Sequence, residues 1–84
     1  MDYMHSRVSV GPGQSVVVEL DHAANVQVMD DANHARYKRG QSHKAYGGYA
    51  TRSPVVITPP SGLWNVAIDL GGRRGSVRAK VSVQ

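Results

Sequence analysis

The chain contains no cysteine and no phenylalanine. The first absence removes disulfides, thiolate metal ligands and thiol nucleophiles. The second leaves four tyrosines and one tryptophan as the only aromatics, so the core has to be built mainly from Val, Ile and Leu. No apolar run is long enough to cross a bilayer. The opening MDYMHSRVSVG carries nothing like the apolar stretch of a secretion signal. A cytoplasmic protein without a membrane partner is the expectation.

Catalytic signatures are equally sparse. There is no Gly-x-Ser-x-Gly elbow to present a nucleophilic serine. The glycine-rich GGRRG at 71–75 lacks the Lys-Ser/Thr ending of a phosphate loop and lies between strand-like segments, not ahead of a helix. His5, His22, His34 and His43 show none of the close pairing that zinc sites use, so surface histidines are expected and no metal or cofactor. Asp30 and Asp31 are adjacent, which is more naturally a helix start than an acid–base pair. No catalytic residue is assigned, and a non-enzymatic protein is expected.

What the chain does have is valine. Eighty-four residues with 40% apolar content in short runs describe one small folded domain, 1–84, not a disordered segment. β-Branched side chains fit a pleated surface better than a helix. A core this small gains from self-association, so a homo-oligomer is expected.

The apolar rhythm is mostly of period two, the mark of half-buried strands. YMHSRVSV (3–10) places Met4, Val8 and Val10 on one face before the GPG turn. Val16, Val18 and Leu20 share a face, as do Ala24, Val26 and Val28. VVIT after Pro54 is a short strand ended by Pro59-Pro60. LWNVAIDL (63–70) turns Trp64, Val66, Ile68 and Leu70 inward, with Asn65 and Asp69 outward. SVRAKVSV (76–83) turns Val77, Ala79, Val81 and Val83 inward. GGRRG suits a hairpin loop between these last two, which are expected to pair antiparallel. Residues 30–53 keep no period. Asp30 or Asp31 can cap a short helical turn through Arg36 or Tyr37 that Gly40 stops, with one short strand near 49–51. The fold class that follows is all-β: a small antiparallel, jelly-roll-like sandwich of six to eight short strands with at most one helical turn.

Charge is unevenly distributed. Residues 1–31 carry five acids against Arg7, and residues 32–84 carry nine bases against Asp69, so the two parts stand at −4 and +8. A positive field of this kind attracts anions. Tyr37, Lys38, Arg39, Lys44, Tyr46, Tyr49 and Arg52 interleave rings with bases, a mixture able to stack a ring and hold phosphate. Amides in a Gly-rich bend can form an anion-binding concavity, and Arg73 and Arg74 would add forked donors. The candidate ligand-binding residues are therefore Tyr37, Lys38, Arg39, Lys44, Tyr46, Arg52, Arg73 and Arg74. Each has a plainer reading: the tyrosines can pack on the sheet with their hydroxyls bonded locally, and the arginines can project into water. Trp64 is in phase with Val66 and Ile68 and reads as core.

MDDANHARYKRG (29–40), AYGG (45–48), RSPVVITPPSGLWNVAIDLGG (52–72) and Gly75 together resemble a small bacterial family described as domain of unknown function 1883. The matching positions are Asp30, Asn33, Tyr37, Gly40, Tyr46, Gly47, Gly48, Ser53, Pro54, Trp64, Asp69, Gly71, Gly72 and Gly75. His34 departs from the pattern, where Phe is usual, and Arg73 falls in a variable slot. The resemblance implies a compact β-sandwich, in some proteins fused to TIR domains, with a sensing, ligand-binding or interaction role. It implies no catalytic residue.

The expected function is a binding or sensing module for an anionic small molecule, such as a nucleotide-type signal, or for a partner protein, in a bacterial or phage defence setting. The segment 36–52 and the turn 71–75 would form the surface. The alternatives are an assembly subunit acting through strand edges and weak, salt-sensitive nucleic-acid binding.

Overall fold

A computed structural model describes residues 3–84; Asp2, one of the acids counted above, lies outside them. The elements run β1 (Met4–Val10), β2 (Val16–Leu20), β3 (Ala24–Met29), α1 (Asp31–Lys38), β4 (Tyr46–Ala50), β5 (Val55–Ile57), β6 (Gly62–Asp69) and β7 (Ala79–Val83). They form two antiparallel sheets, ordered β1-β6-β3-β4 and β5-β2-β7. This is the expected all-β sandwich, with seven strands and a single helix among the described residues. Every connection except the one carrying α1 changes sheet.

The alternation read from the sequence sets the core. Val10, Val16, Val18, Ala24, Val26, Val28, Val66 and Ile68 are buried between the sheets. Trp64 packs at the edge of this cluster and donates its indole N–H to Pro60 O at 2.7 Å, so its expected packing role holds.

The helix is fixed at both ends. Asp30 is its N-cap, with Oδ1 accepting the Asn33 N–H at 2.8 Å. At the other end Gly40, at φ +71°, lets its own N–H reach Tyr37 O and the Gln41 N–H reach Arg36 O, which closes the last turn. Asp31 in the first turn and Arg36 and Lys38 in the last complement the helix dipole.

Two expectations need correcting. β6 and β7 are not a hairpin: β6 pairs with β1 and β3, whereas β7 pairs with β2 in the other sheet. Alternation specifies which face of a strand is apolar but not which strand lies beside it. Residues 70–78 are long enough to span the roughly 10 Å between sheets, so the Gly-Arg segment is a crossing connection. Nor is β6 half-buried. Asn65, Ala67 and Asp69, on its outward face, are as buried as Val66 and Ile68, because α1 lies over that face. There Met29, Tyr37 and Ala67 form a second cluster with Tyr3 against it. No helix among the described residues is long and apolar enough to cross a membrane.

Candidate functional site

The 70–78 connection leaves β6 at Asp69, whose Oδ1 accepts the Gly71 N–H at 2.7 Å. Gly71, Gly72 and Gly75 take φ of +64°, +82° and +123°, conformations that disfavour any side chain bearing a Cβ. The bend they make lifts Arg73 and Arg74 over one end of the sandwich. Arg73 is held: its guanidinium donates to Tyr49 Oη at 3.0 Å and lies 4.9 Å from that ring's centroid. Arg74 is exposed and has no hydrogen-bond or ion-pair partner among the described residues.

Hollows lie on both sides of this bend. One, of about 670 Å³, is lined by Tyr3, Met4, Ile68, Asp69, Leu70 and Val77 together with Arg73 and Arg74. The other, of about 340 Å³, is lined by His22, Tyr49, Arg73 and Arg74. A third, of about 170 Å³, shares His22 and Ala23 with the second and adds Arg52. The loop bearing Arg52 is tied to β2 by the Leu20 N–H donating to Ser53 Oγ at 2.8 Å. The nearby acid is already engaged. Asp21 Oδ1 accepts the Arg78 N–H at 2.7 Å and sits 3.1 Å from His22 Nδ1. The Arg78 amide first, and His22 second, hold its carboxyl below the usual range. Arg52 thus lines a hollow that adjoins, through His22 and Ala23, the one lined by Arg73 and Arg74.

The remaining candidates are placed elsewhere. Tyr37 is buried and its hydroxyl donates to Asp69 Oδ2, so no ligand reaches it; it is a packing residue, the plainer of its two readings. Lys38 ends α1 and Arg39 caps it, with both side chains exposed. Lys44, in the loop after α1, is tied back to the start of that helix by its N–H donating to Asn33 Oδ1 at 2.8 Å. Tyr46 packs edge-on against Trp64 at 5.6 Å. It faces Val28 in the register, whereas Tyr49 faces Asn25, about 10 Å further along the strand. One surface uniting 36–52 with 71–75 therefore exists only in part: Tyr49 meets the arginine bend and Arg52 lines an adjoining hollow, while Lys44 and Tyr46 lie toward the other end of β4.

Sequence reasoning missed the polar layer beneath α1. Tyr3 Oη and His34 Nε2 are 3.0 Å apart, and the His34 ring stacks on His5 at 4.3 Å. His5 Nε2 meets Asn65 Oδ1 at 2.9 Å, and Asn65 Nδ2 donates to Asp31 Oδ1 at 2.7 Å. Arg7 completes the chain through Asp31 Oδ2 at 2.8 Å. Burial first, then His5 and Lys38, push the His34 pKa down. Burial and the Asp69 carboxylate push Tyr37 up, so its proton stays on the phenol. The signal was two polar residues, Asn65 and Asp69, on one face of the most apolar strand. No group of three or more His, Asp or Glu among the described residues could hold a metal ion.

No curated protein and no solved structure matches the chain. A family model does match, over residues 1–84, the whole length of the sequence. On that match the chain belongs to the family described as domain of unknown function (DUF1883).

Proposed function

We propose that this domain is a non-enzymatic binding module that recognises an anionic small molecule at the arginine-bearing end of the sandwich. The observation that carries the reading is Arg74, exposed and without a partner among the described residues, beside an Arg73 already oriented by Tyr49. An oriented guanidinium loses little freedom on meeting an anion, and its fork matches phosphate and carboxylate oxygens. Arg52, Arg73 and Arg74 outnumber the Asp21 carboxylate in the hollows at this end, which favours an anion. A role as a sensor in the bacterial or phage cytoplasm fits, and the TIR fusions implied by the family resemblance make nucleotides the first probes.

Thermal-shift measurements at low salt with pyrophosphate, nucleoside diphosphates and cyclic nucleotides test the proposal. A rise in melting temperature that disappears in the Arg73→Ala/Arg74→Ala double variant is expected. The reading fails if no anion raises the transition, or if the double variant responds as the parent does.

A second reading, an assembly subunit acting as a homo-oligomer, draws on the exposed Val56 and Leu63 and on the seven-residue edge strand β1. Light scattering tests it, since it requires a defined oligomer that persists in high salt.

A further inference from the structure

The larger hollow differs in chemistry from what the interleaved rings and bases suggested. Four aliphatic side chains, Met4, Ile68, Leu70 and Val77, line it beside Tyr3 and Asp69. Met4 and Ile68 are register partners on neighbouring strands, and directly paired residues share a face of the sheet. Ile68 is part of the inter-sheet core and Val77 packs against that core. The hollow is therefore an open end of the hydrophobic interior. It exists because β1 and β6 are already paired at Met4 and Ile68, whereas β7 begins only at Ala79. The 70–78 connection arches over the gap. Met4 remains 41% exposed there, an apolar cost that an occupant would remove.

Among the described residues the tyrosine rings near Arg73 and Arg74 are engaged: Tyr3, which also lines the hollow, packs edge-on with Tyr37 and His34. Tyr37 is buried, Tyr49 has its face covered by the Arg73 guanidinium, and Tyr46 lies away along β4. Asp69, itself buried, is in the lining, with Oδ2 accepting from Tyr37 and Oδ1 from Gly71. A second anion cannot sit deep beside this carboxylate, so a ligand's charge belongs at the outer edge with Arg74 and its apolar part inside.

We infer that the hollow between Met4, Ile68, Leu70 and Val77 binds the aliphatic chain of a soluble single-chain amphiphile whose phosphate or carboxylate head is held by Arg74. This rests on the anion reading above and narrows it: the body of the ligand is a chain, not a nucleoside. Its volume, about 670 Å³, lies within the range of small-molecule pockets.

The test is calorimetric titration with n-alkyl phosphates from butyl to decyl, below their micellar concentrations, beside pyrophosphate and the matching alkanols. Affinity should rise about fourfold per methylene over the first additions, the transfer value for buried CH₂. Arg74→Ala should weaken every phosphate by about tenfold or more. Met4→Trp, at a 41% exposed position, should fill the hollow and abolish the chain-length dependence while Arg74 still binds pyrophosphate. Arg74-dependent pyrophosphate binding with no chain-length dependence overturns this inference and leaves the anion reading standing. No binding by any anion overturns both. Alkanols binding as tightly as the phosphates, or binding only to vesicles of anionic phospholipid, also overturn it.

Discussion

Tyr37 of α1 and Asp69 of β6 are joined by a buried 2.5 Å hydrogen bond, thirty-two residues apart in sequence. Through Asp69 the helix is linked to the arginine bend, because the same carboxylate accepts the Gly71 N–H. A tyrosine that sequence spacing offers as a ligand contact thus acts as a structural bolt behind the site.

Removing the Tyr37 hydroxyl takes a donor from a buried carboxylate. Tyr37→Phe is expected to lower stability by about 1–3 kcal/mol, read as a shift in the urea midpoint with the slope unchanged. An unchanged midpoint would show that the bond contributes nothing.

His34 confers pH dependence. Its folded-state pKa is held below the ordinary 6.5 by burial, by the stacked His5 and by Lys38. As pH falls, the unfolded chain takes up this proton first. The stabilisation is therefore complete above about 6.5 and declines as pH drops from there towards the lower folded value. Asp31 is also held low, by the Asn65 hydrogen bond first; its contribution is present above 3.8 and is lost only as pH falls through that more acid range. The melting temperature should fall between pH 7 and pH 5, and His34→Phe should flatten that part of the curve. An identical slope in the variant would remove His34 from the account.

Adjacent glycines in β4 should respond oppositely. Gly47 sits at φ +99°, and a Cβ there would lie 2.4 Å from Val26 O and 3.0 Å from Ile57 Cδ1. Gly48 has open space around it and no positive φ. Gly47→Ala should cost roughly 1–3 kcal/mol or more, while Gly48→Ala should be neutral or stabilising by up to about 1 kcal/mol. Thermal denaturation of the pair checks the contrast.

Tyr49→Ala frees Arg73 without opening the core, since Tyr49 is exposed. The cation–π contact at such a site is worth about 0.5–1 kcal/mol. Pyrophosphate affinity should fall about two- to fivefold with little change in melting temperature. Unaltered affinity would mean that orienting Arg73 is irrelevant to binding.

Period-two patterning was enough to place Val16 and Val18, Ala24, Val26 and Val28, and Val66 and Ile68 in the core, because half-turn alternation leaves no other way to bury them. The helix was legible in the Asp30 cap and the Gly40 stop. The partners of β6 and β7 were not, since alternation is identical whichever neighbour a strand acquires. The burial of Asn65, Asp69 and Tyr37 was hidden for a related reason. A short helix whose buried residues are His34 and Tyr37 carries no apolar stripe to announce what it covers. The exposure of Arg73 and Arg74 was readable from the Gly-rich bend, though not that the bend crosses between sheets, and the separation of Tyr46 from Tyr49 depends on strand register.

The most direct measurement of the central claim is amide chemical-shift mapping during titration with pyrophosphate at low salt. The account predicts saturable shifts concentrated at residues 71–76, Tyr49 and His22, lost on changing Arg73 and Arg74 to Ala. Shifts confined to Lys38, Arg39 and Lys44, or none at all, would contradict it.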